Sequence, residues 1–196
     1  MHKKIFIVGL IAFLFLLLNG GQSLAAGPWR GKIIDVETKE PIEGAVVVAF
    51  WSRTWRTPAG DNPYIYEVKE IVTDREGKIE MPSYTPINLL PIISYMKGPE
   101  FIIFKPGYGS LRMALGKYLS GEITEIKEME LSGKMYRLSP GVIELPPLRT
   151  REEREKKGLH SRPDPTIPDY KVKNLMKAIN EENAFLGFPL YKLEDK

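Results

Sequence analysis

The chain has 196 residues, with 28 Lys and Arg against 25 Asp and Glu, and its formal net charge of +3 falls to +1 without Lys3 and Lys4 of the N-terminal leader. This balance argues against nucleic acid as a partner, because phosphate backbones bind concentrated positive charge. Cysteine is absent, which excludes disulfides and thiol chemistry, so an apolar core and a hydrogen-bonded sheet must stabilise the fold.

Residues 1–26 are typical of a secretory signal peptide. His2, Lys3 and Lys4 precede an apolar stretch at 5–18, and a small-x-small site at 23–25 predicts cleavage near Ala25 or Ala26. An uncleaved anchor is the alternative, but roughly 14 apolar residues fall short of the roughly 20 that span a bilayer. We therefore expect a periplasmic or secreted protein without a membrane span after cleavage.

The next segments predict short β-strands. Residues 31–36 and 45–51 are rich in β-branched side chains between turn residues, and the second run is apolar on both faces, as in a strand covered on each side. Residues 52–62 predict a loop. The alternating residues 64–72 predict a strand that the turn 73–77 joins, as a tight hairpin, to a partner strand at 78–82.

The second half of this β-rich region is less regular. Residues 83–100 contain three prolines and predict a long excursion. Residues 101–104 predict a strand, and the imperfect alternation of 123–131 predicts an edge strand.

Beyond residue 134 the composition changes. Residues 135–196 predict a proline-rich connector and a C-terminal helix at 170–186, capped by Asp169 and ended by Gly187. Val172, Leu175 and Ile179 fall on one stripe of this helix. We expect the stripe to pack on the sheet, and docking on a partner is the alternative.

Turn and core residues recur at fixed spacing in residues 29–131. They are Gly31, Ile33, Asp35, Thr38, Pro41, Ile42, Gly44, Ala45, Val47, Thr73, Asp74, Gly77, Ile79, Met81 and Pro82. This pattern resembles the carboxypeptidase regulatory-like domain. The resemblance implies a mainly β fold, a transthyretin-like antiparallel β-sandwich of seven strands at 27–134, with the C-terminal helical extension outside it.

The sequence offers few catalytic groups. His160 is the one histidine after the leader, and catalytic zinc needs three protein ligands, so we expect no metal, no cofactor and no catalytic residue. In its loop context His160 is expected to be solvated. The carboxylate pairs Glu67 with Glu70 and Glu152 with Glu153 are best explained by exposure, and the charged segment 149–157 predicts a solvated, salt-bridged helix.

Aromatic and arginine side chains are concentrated around the predicted loop. Trp55, Arg53, Arg56 and Tyr64 are the candidate binding residues, because exposed aromatic rings with arginine suit sugar stacking or a protein hot spot. Packing inside the sandwich is the alternative for the aromatic side chains. We expect a non-enzymatic binding or accessory module of the cell envelope, whose partner is another envelope protein or a surface glycan; a carbohydrate-binding module and an unrecognised hydrolase are the alternatives.

Overall fold

A computed structural model describes residues 27–131 and 133–193, so the predicted signal peptide at 1–26 lies outside the described residues. Strands dominate the described part of the chain. They are β1 Trp29–Asp35, β2 Val46–Thr57, β3 Gly60–Val72, β4 Lys78–Met81, β5 Ser94–Phe104, β6 Leu111–Met113, β7 Lys127–Leu131, β8 Lys134–Ser139 and β9 Val142–Leu145. The helices are α1 Gly116–Leu119, α2 Arg151–Lys157 and α3 Lys173–Leu186, and a 3-10 turn covers Asp169–Lys171.

The strands form two sheets. Sheet A has the order β4-β1-β9-β8-β7, and sheet B has the order β3-β2-β5-β6. Paired neighbours are antiparallel except β1 and β9, which run parallel from Lys32 opposite Val142 to Asp35 opposite Leu145. The resemblance implied seven antiparallel strands, and the described residues hold nine strands with one parallel pair.

The two sheets enclose the main apolar core. Sheet A contributes Ile33 and Ile143, and sheet B contributes Val47 and Phe101, all of them buried. Trp29 packs edge-on against Phe101, with ring centroids 5.8 Å apart. The mainly β, two-sheet architecture expected from the sequence is therefore confirmed.

A second apolar layer covers the outer face of sheet B. Val46, Val48 and Phe50 of β2 point away from sheet A and are buried beneath Leu175 and Ile179 of α3. Because alternate side chains of a strand point to opposite faces, β2 is apolar on both. The prediction of a strand covered on each side is confirmed, as is the packing of the C-terminal helix on the sheet.

The prediction of a connector from residue 135 is wrong for residues 135–145, which belong to strands β8 and β9 of sheet A and the turn between them. Strand β8 pairs with both β7 and β9, and β9 pairs with β1 at the centre of the sheet. The connector therefore begins after Leu145. The two strands were not predicted because Pro140 and Gly141 interrupt the apolar residues of 135–145. These two residues form the turn between the strands.

The hairpin predicted between 64–72 and 78–82 is wrong, although its turn is present. Asp74 Oδ1 accepts the N–H groups of Glu76 and Lys78, and Gly77 has a φ of +71°. The turn nevertheless carries the chain from sheet B to sheet A, where β4 pairs with β1. The two segments flanking the turn thus lie in different layers.

Two predicted strand bounds also change. Strand β5 begins at Ser94, inside the predicted excursion 83–100, while its segment 101–104 agrees with the prediction. Strand β7 covers only Lys127–Leu131 of the predicted 123–131, and it lies at the edge of sheet A as expected.

Helix α3 is capped by a residue from another element, so the prediction of Asp169 as its cap is wrong. The helix begins at Lys173, and Val172 at the N-cap position makes no side-chain cap. Instead, the carboxylate of Glu70 on β3 accepts the backbone N–H groups of Asn174 at 2.9 Å and Leu175 at 2.7 Å. Burial raises the pKa of Glu70, and these two N–H donors act in the opposite direction.

Helix α2 holds α3 from its other side. A capping box at Thr150 and Glu153 starts α2. The guanidinium of Arg154 pairs with the fully buried carboxylate of Glu182 on α3, which also accepts the Gly107 N–H at 3.0 Å. The charged helix predicted at 149–157 is present at Arg151–Lys157 with its surface ion pairs, and in addition it holds α3 through Arg154.

No helix in residues 27–131 or 133–193 combines the length and the apolar character needed to cross a membrane.

We expect Ile179→Ala in α3 to lower the free energy of unfolding by about 2–4 kcal/mol, because it removes a fully buried side chain from the helix-to-sheet contact. Glu181→Ala, at an exposed position of the same helix, should change it by less than about 0.5 kcal/mol. Urea unfolding of both variants measures the difference. Equal values for the two would contradict the packing described here.

Replacing Glu70 tests the cap on α3. Glu70→Ala leaves two backbone N–H groups of the first helical turn without their acceptor, so it should cost about 1–2 kcal/mol of unfolding free energy. The control is Glu43→Ala, since Glu43 makes only a long ion pair with Arg75 at 3.9 Å. If both variants unfold at the same urea concentration, Glu70 does not stabilise the helix start.

Candidate functional site

The candidate binding residues lie on the far half of the β2–β3 hairpin, which we call the hairpin end (residues 52–66). The prediction of a loop at 52–62 is wrong, because β2 continues to Thr57 and β3 begins at Gly60, leaving a two-residue turn. The aromatic and β-branched side chains of 54–57 favour extended backbone, and β5 pairs with this half of β2 as well. Trp55 therefore sits in a paired strand and is half-buried.

A bulge separates the hairpin end from the core half of β2. The pairing of β2 shifts register between Trp51 and Ser52 on the β3 side and between Phe50 and Ser52 on the β5 side. Bulges of this kind bend a strand and redirect its side chains. Trp51 before the bulge is fully buried, whereas Arg56 and Tyr64 beyond it are exposed.

Arg53 is the centre of a cluster of aromatic side chains on one face of the hairpin end. Its guanidinium carbon lies 4.4 Å from the centroid of the Tyr66 ring and 6.0 Å from that of Trp55. Tyr64 is the cross-strand partner of Arg53. Three of the four predicted binding residues, Arg53, Trp55 and Tyr64, are therefore brought together.

Arg56 belongs to the opposite face, because strand side chains alternate. Its guanidinium lies 5.2 Å from the Tyr95 ring, and Lys97 approaches the same ring at 5.2 Å. The Tyr95 hydroxyl donates to Asp61 at 2.8 Å. Tyr95 and Lys97 were missed from sequence, because they lie in the segment predicted to be an irregular excursion.

Both arginines also hold the segment that precedes β5, residues 86–93, which we call the apolar loop. Arg53 donates to the carbonyl of Ile87 at 3.1 Å, and Arg56 donates to that of Ile92 at 3.3 Å. Just before the loop, the Tyr84 ring packs edge-on against Trp51, with centroids 4.7 Å apart, and burial raises the pKa of Tyr84. The apolar loop is thus tied to the hairpin end and, through Tyr84, to the core.

The apolar loop is the feature of the site that sequence reasoning missed. Its aliphatic side chains are exposed, as described below, and none was predicted to take part in binding. A usable signal was present in the sequence, because aliphatic residues cluster between Pro86 and Ser94 without the alternation of a half-buried strand.

The other chemically reactive groups are engaged in packing or capping. His160 is half-buried rather than solvated: Nε2 lies 2.8 Å from the Glu155 carbonyl, and the ring packs edge-on against Phe188. Glu67 pairs with Lys171 at 2.9 Å, while Glu70 caps α3.

The two carboxylates of the other predicted pair, Glu152 and Glu153, also have separate structural roles. Glu152 pairs with Lys156, and Glu153 closes the capping box of α2 and pairs with Lys134 at 2.7 Å. These donors hold the pKa of Glu153 at about 2. Within residues 27–131 and 133–193, no three His, Asp or Glu side chains are grouped so that they could hold a metal ion.

Comparison of the chain with models of protein families, with curated proteins and with solved structures finds no match.

Arg53→Ala should loosen the apolar loop while leaving the two-layer core intact. The guanidinium contacts the Ile87 carbonyl, the half-buried Tyr66 ring and Met96 Sδ at 3.3 Å, and Met96 belongs to neither apolar layer. We expect the backbone N–H groups of residues 88–90, 92 and 93 to exchange with deuterium about tenfold faster, at unchanged exchange in residues 46–50 of β2 and 101–104 of β5. The matched control is Arg75→Ala, whose side chain is almost fully exposed. Identical exchange of the loop in both variants would show that Arg53 does not hold it.

Proposed function

We propose that the protein is an exported, non-enzymatic binding or accessory module of the cell envelope. The observation that carries this proposal is the grouping of Arg53, Trp55 and Tyr64 on the hairpin end, outside the packed core. Trp, Tyr and Arg are the residues most enriched at protein-binding hot spots. Their placement on paired strands gives a rigid surface, which lowers the entropic cost of binding.

The roles of the carboxylates support a function without catalysis. A general acid or base requires a carboxyl group free to exchange its proton with a substrate. Glu70 instead receives two helix N–H groups, and Glu182 receives Arg154 and a backbone N–H. Each of these groups is committed to holding α3 in place.

A carboxypeptidase regulatory-like origin is part of the proposal, with a transthyretin-like arrangement of the sandwich. The residues of the resemblance have clear backbone roles here. Position 77 requires glycine, because a Cβ added to Gly77 would lie 2.4 Å from the Ile33 carbonyl oxygen. Thr73 accepts the Ala45 N–H at 2.8 Å and donates to the Ile42 carbonyl at 2.7 Å, which joins the two segments that carry the resemblance. These contacts support the proposal at the level of local structure.

We propose another envelope protein as the partner, with a surface glycan as the second candidate. The glycan is favoured by the Tyr64 ring, which is exposed and could stack on a sugar face. Trp55, the ring first expected to do this, is half-buried and has the Arg53 guanidinium near its face. A protein surface can use both rings together with the arginine.

Substituting Tyr64 and Trp55 tests the binding surface. We expect the mature protein to capture a partner from envelope extract, and Tyr64→Ala and Trp55→Ala to raise the dissociation constant of that partner roughly tenfold or more. The control is Tyr170→Ala, an exposed tyrosine far along the chain. Surface plasmon resonance with the captured partner measures the constants.

The result also separates the alternatives. Binding to a glycan array that Tyr64→Ala abolishes would assign the surface to a sugar. Hydrolysis of an ester, peptide or glycoside by the purified protein would overturn the non-enzymatic function. Capture unaffected by both hairpin substitutions would place the binding surface elsewhere.

A further inference from the structure

The apolar loop is the most exposed aliphatic surface in the described part of the chain. Five of the fourteen large exposed hydrophobic side chains there belong to it. Their exposed fractions are 68% for Ile87, 82% for Leu89, 49% for Leu90, 71% for Ile92 and 47% for Ile93. Single exposed aliphatic residues are ordinary, but a contiguous group marks an interaction site.

Several polar groups of the loop are hydrogen-bonded within the loop and to Ser94. Asn88 Oδ1 accepts the Leu90 N–H at 3.2 Å, and its Nδ2 donates to the Ser94 carbonyl at 2.9 Å. The Leu90 carbonyl accepts the Ser94 N–H at 3.0 Å and the Ser94 hydroxyl at 2.9 Å.

Three further carbonyls of the loop are bonded to the two arginines. Those of Ile87 and Ile92 accept the Arg53 and Arg56 side chains, and that of Ile93 accepts the Arg56 N–H at 2.9 Å. Together with the Leu90 carbonyl, these groups are already hydrogen-bonded within the protein. This lowers the cost of moving this part of the backbone from water toward hydrocarbon, where an unsatisfied C=O is costly.

The charged side chains around the loop are cationic apart from Asp61. Residues 81–99 contain no Asp or Glu, and Lys97 is exposed beside the Tyr95 ring. Arg53 and Arg56 lie at the base of the loop. The nearby Asp61 accepts the Tyr95 hydroxyl. Such a rim complements anionic head groups.

We propose that the apolar loop inserts into the interfacial region of a lipid bilayer that carries anionic head groups. Leu89 and Ile92 enter the acyl boundary, while Arg56 and Lys97 contact the lipid phosphates. Trp55 and Tyr95 lie at the level of the head groups, where amphipathic rings are enriched. The membrane contact shares Trp55 with the partner contact proposed above, and the variants L89S/I92S and Tyr64→Ala separate the two.

The composition of the loop favours a bilayer over a protein partner. Protein hot spots are rich in Trp, Tyr and Arg and poor in Leu. The exposed side chains of the loop are Leu, Ile and Pro91, and none of them is aromatic or charged. Apolar side chains with a basic rim are what a membrane interface binds.

Vesicle sedimentation tests the proposal. The mature protein should bind vesicles of phosphatidylglycerol, bind those of phosphatidylcholine more weakly, and lose affinity for the former as NaCl is raised. The double variant L89S/I92S should lower the partition coefficient at least about tenfold. The matched control, I126S/L190S, removes two aliphatic side chains of 56% and 57% exposure elsewhere and should bind as the wild type does.

Fluorescence locates the contact. The chain has three tryptophans, and Trp29 and Trp51 are fully buried. Brominated lipids should therefore quench the emission of Trp55, and this quenching should disappear in L89S/I92S. Circular dichroism shows whether each variant is folded, and the exposed positions predict unchanged melting.

Several outcomes would overturn the proposal. These are absence of vesicle binding by the folded wild type, equal binding by L89S/I92S, and equal loss in I126S/L190S. Sedimentation equilibrium that shows a dimer abolished by L89S/I92S, without vesicle binding, would assign the loop to a second copy of the chain. Loss of the captured protein partner alone would assign it to that partner. Vesicle binding that persists in Tyr64→Ala would separate this contact from the partner surface.

Discussion

The burial of β2 on both faces is the constraint on which the rest of the structure depends. Val47 and Ala49 require one apolar layer, and Val46, Val48 and Phe50 require a second on the opposite side. Sheet A supplies the first layer and α3 the second. Because one short helix makes few contacts of its own, it is fixed from both sides, by Glu70 at its N-terminus and by Arg154 against Glu182. The polar contacts of the helix thus serve the packing of a single strand.

The half of β2 beyond its bulge is not buried on both faces. Beyond the bulge at Ser52, no layer covers β2 completely, and cationic and aromatic side chains replace the aliphatic ones. Arg53 and Arg56 then perform two tasks, because they contact aromatic rings and hold the carbonyls of the apolar loop. The hairpin end and the apolar loop are therefore connected through these two side chains. Substitution of either arginine should therefore alter both the hairpin end and the apolar loop.

Local patterns in the sequence predicted which segments form strands and helices better than they predicted which of these segments contact one another. The two apolar faces of β2 and the stripe of α3 could be read directly, since both depend on periodicity within one segment. The pairing of β1 with β9 and the capping of α3 by Glu70 could not, because they join residues about a hundred positions apart; Asn174 and Glu70 are separated by 104. The candidate residues Arg53, Trp55 and Tyr64 were found by composition. The clustering of aliphatic residues at 87–93 was visible in the sequence, but the contacts of Arg53 and Arg56 that hold this loop join residues 34 and 36 positions apart.

The parallel pairing of β1 with β9 has a consequence for biogenesis. The first strand acquires its second neighbour only when residues 142–145 are available, and β2 is covered by α3 later still. When the chain is synthesised from its N-terminus, Val46, Val48 and Phe50 therefore remain exposed to water until α3 has been made and packs on them. Nonlocal pairing of this kind slows folding and prolongs the lifetime of intermediates with exposed apolar surface. The apolar outer face of β2 is completed only when α3 docks on sheet B.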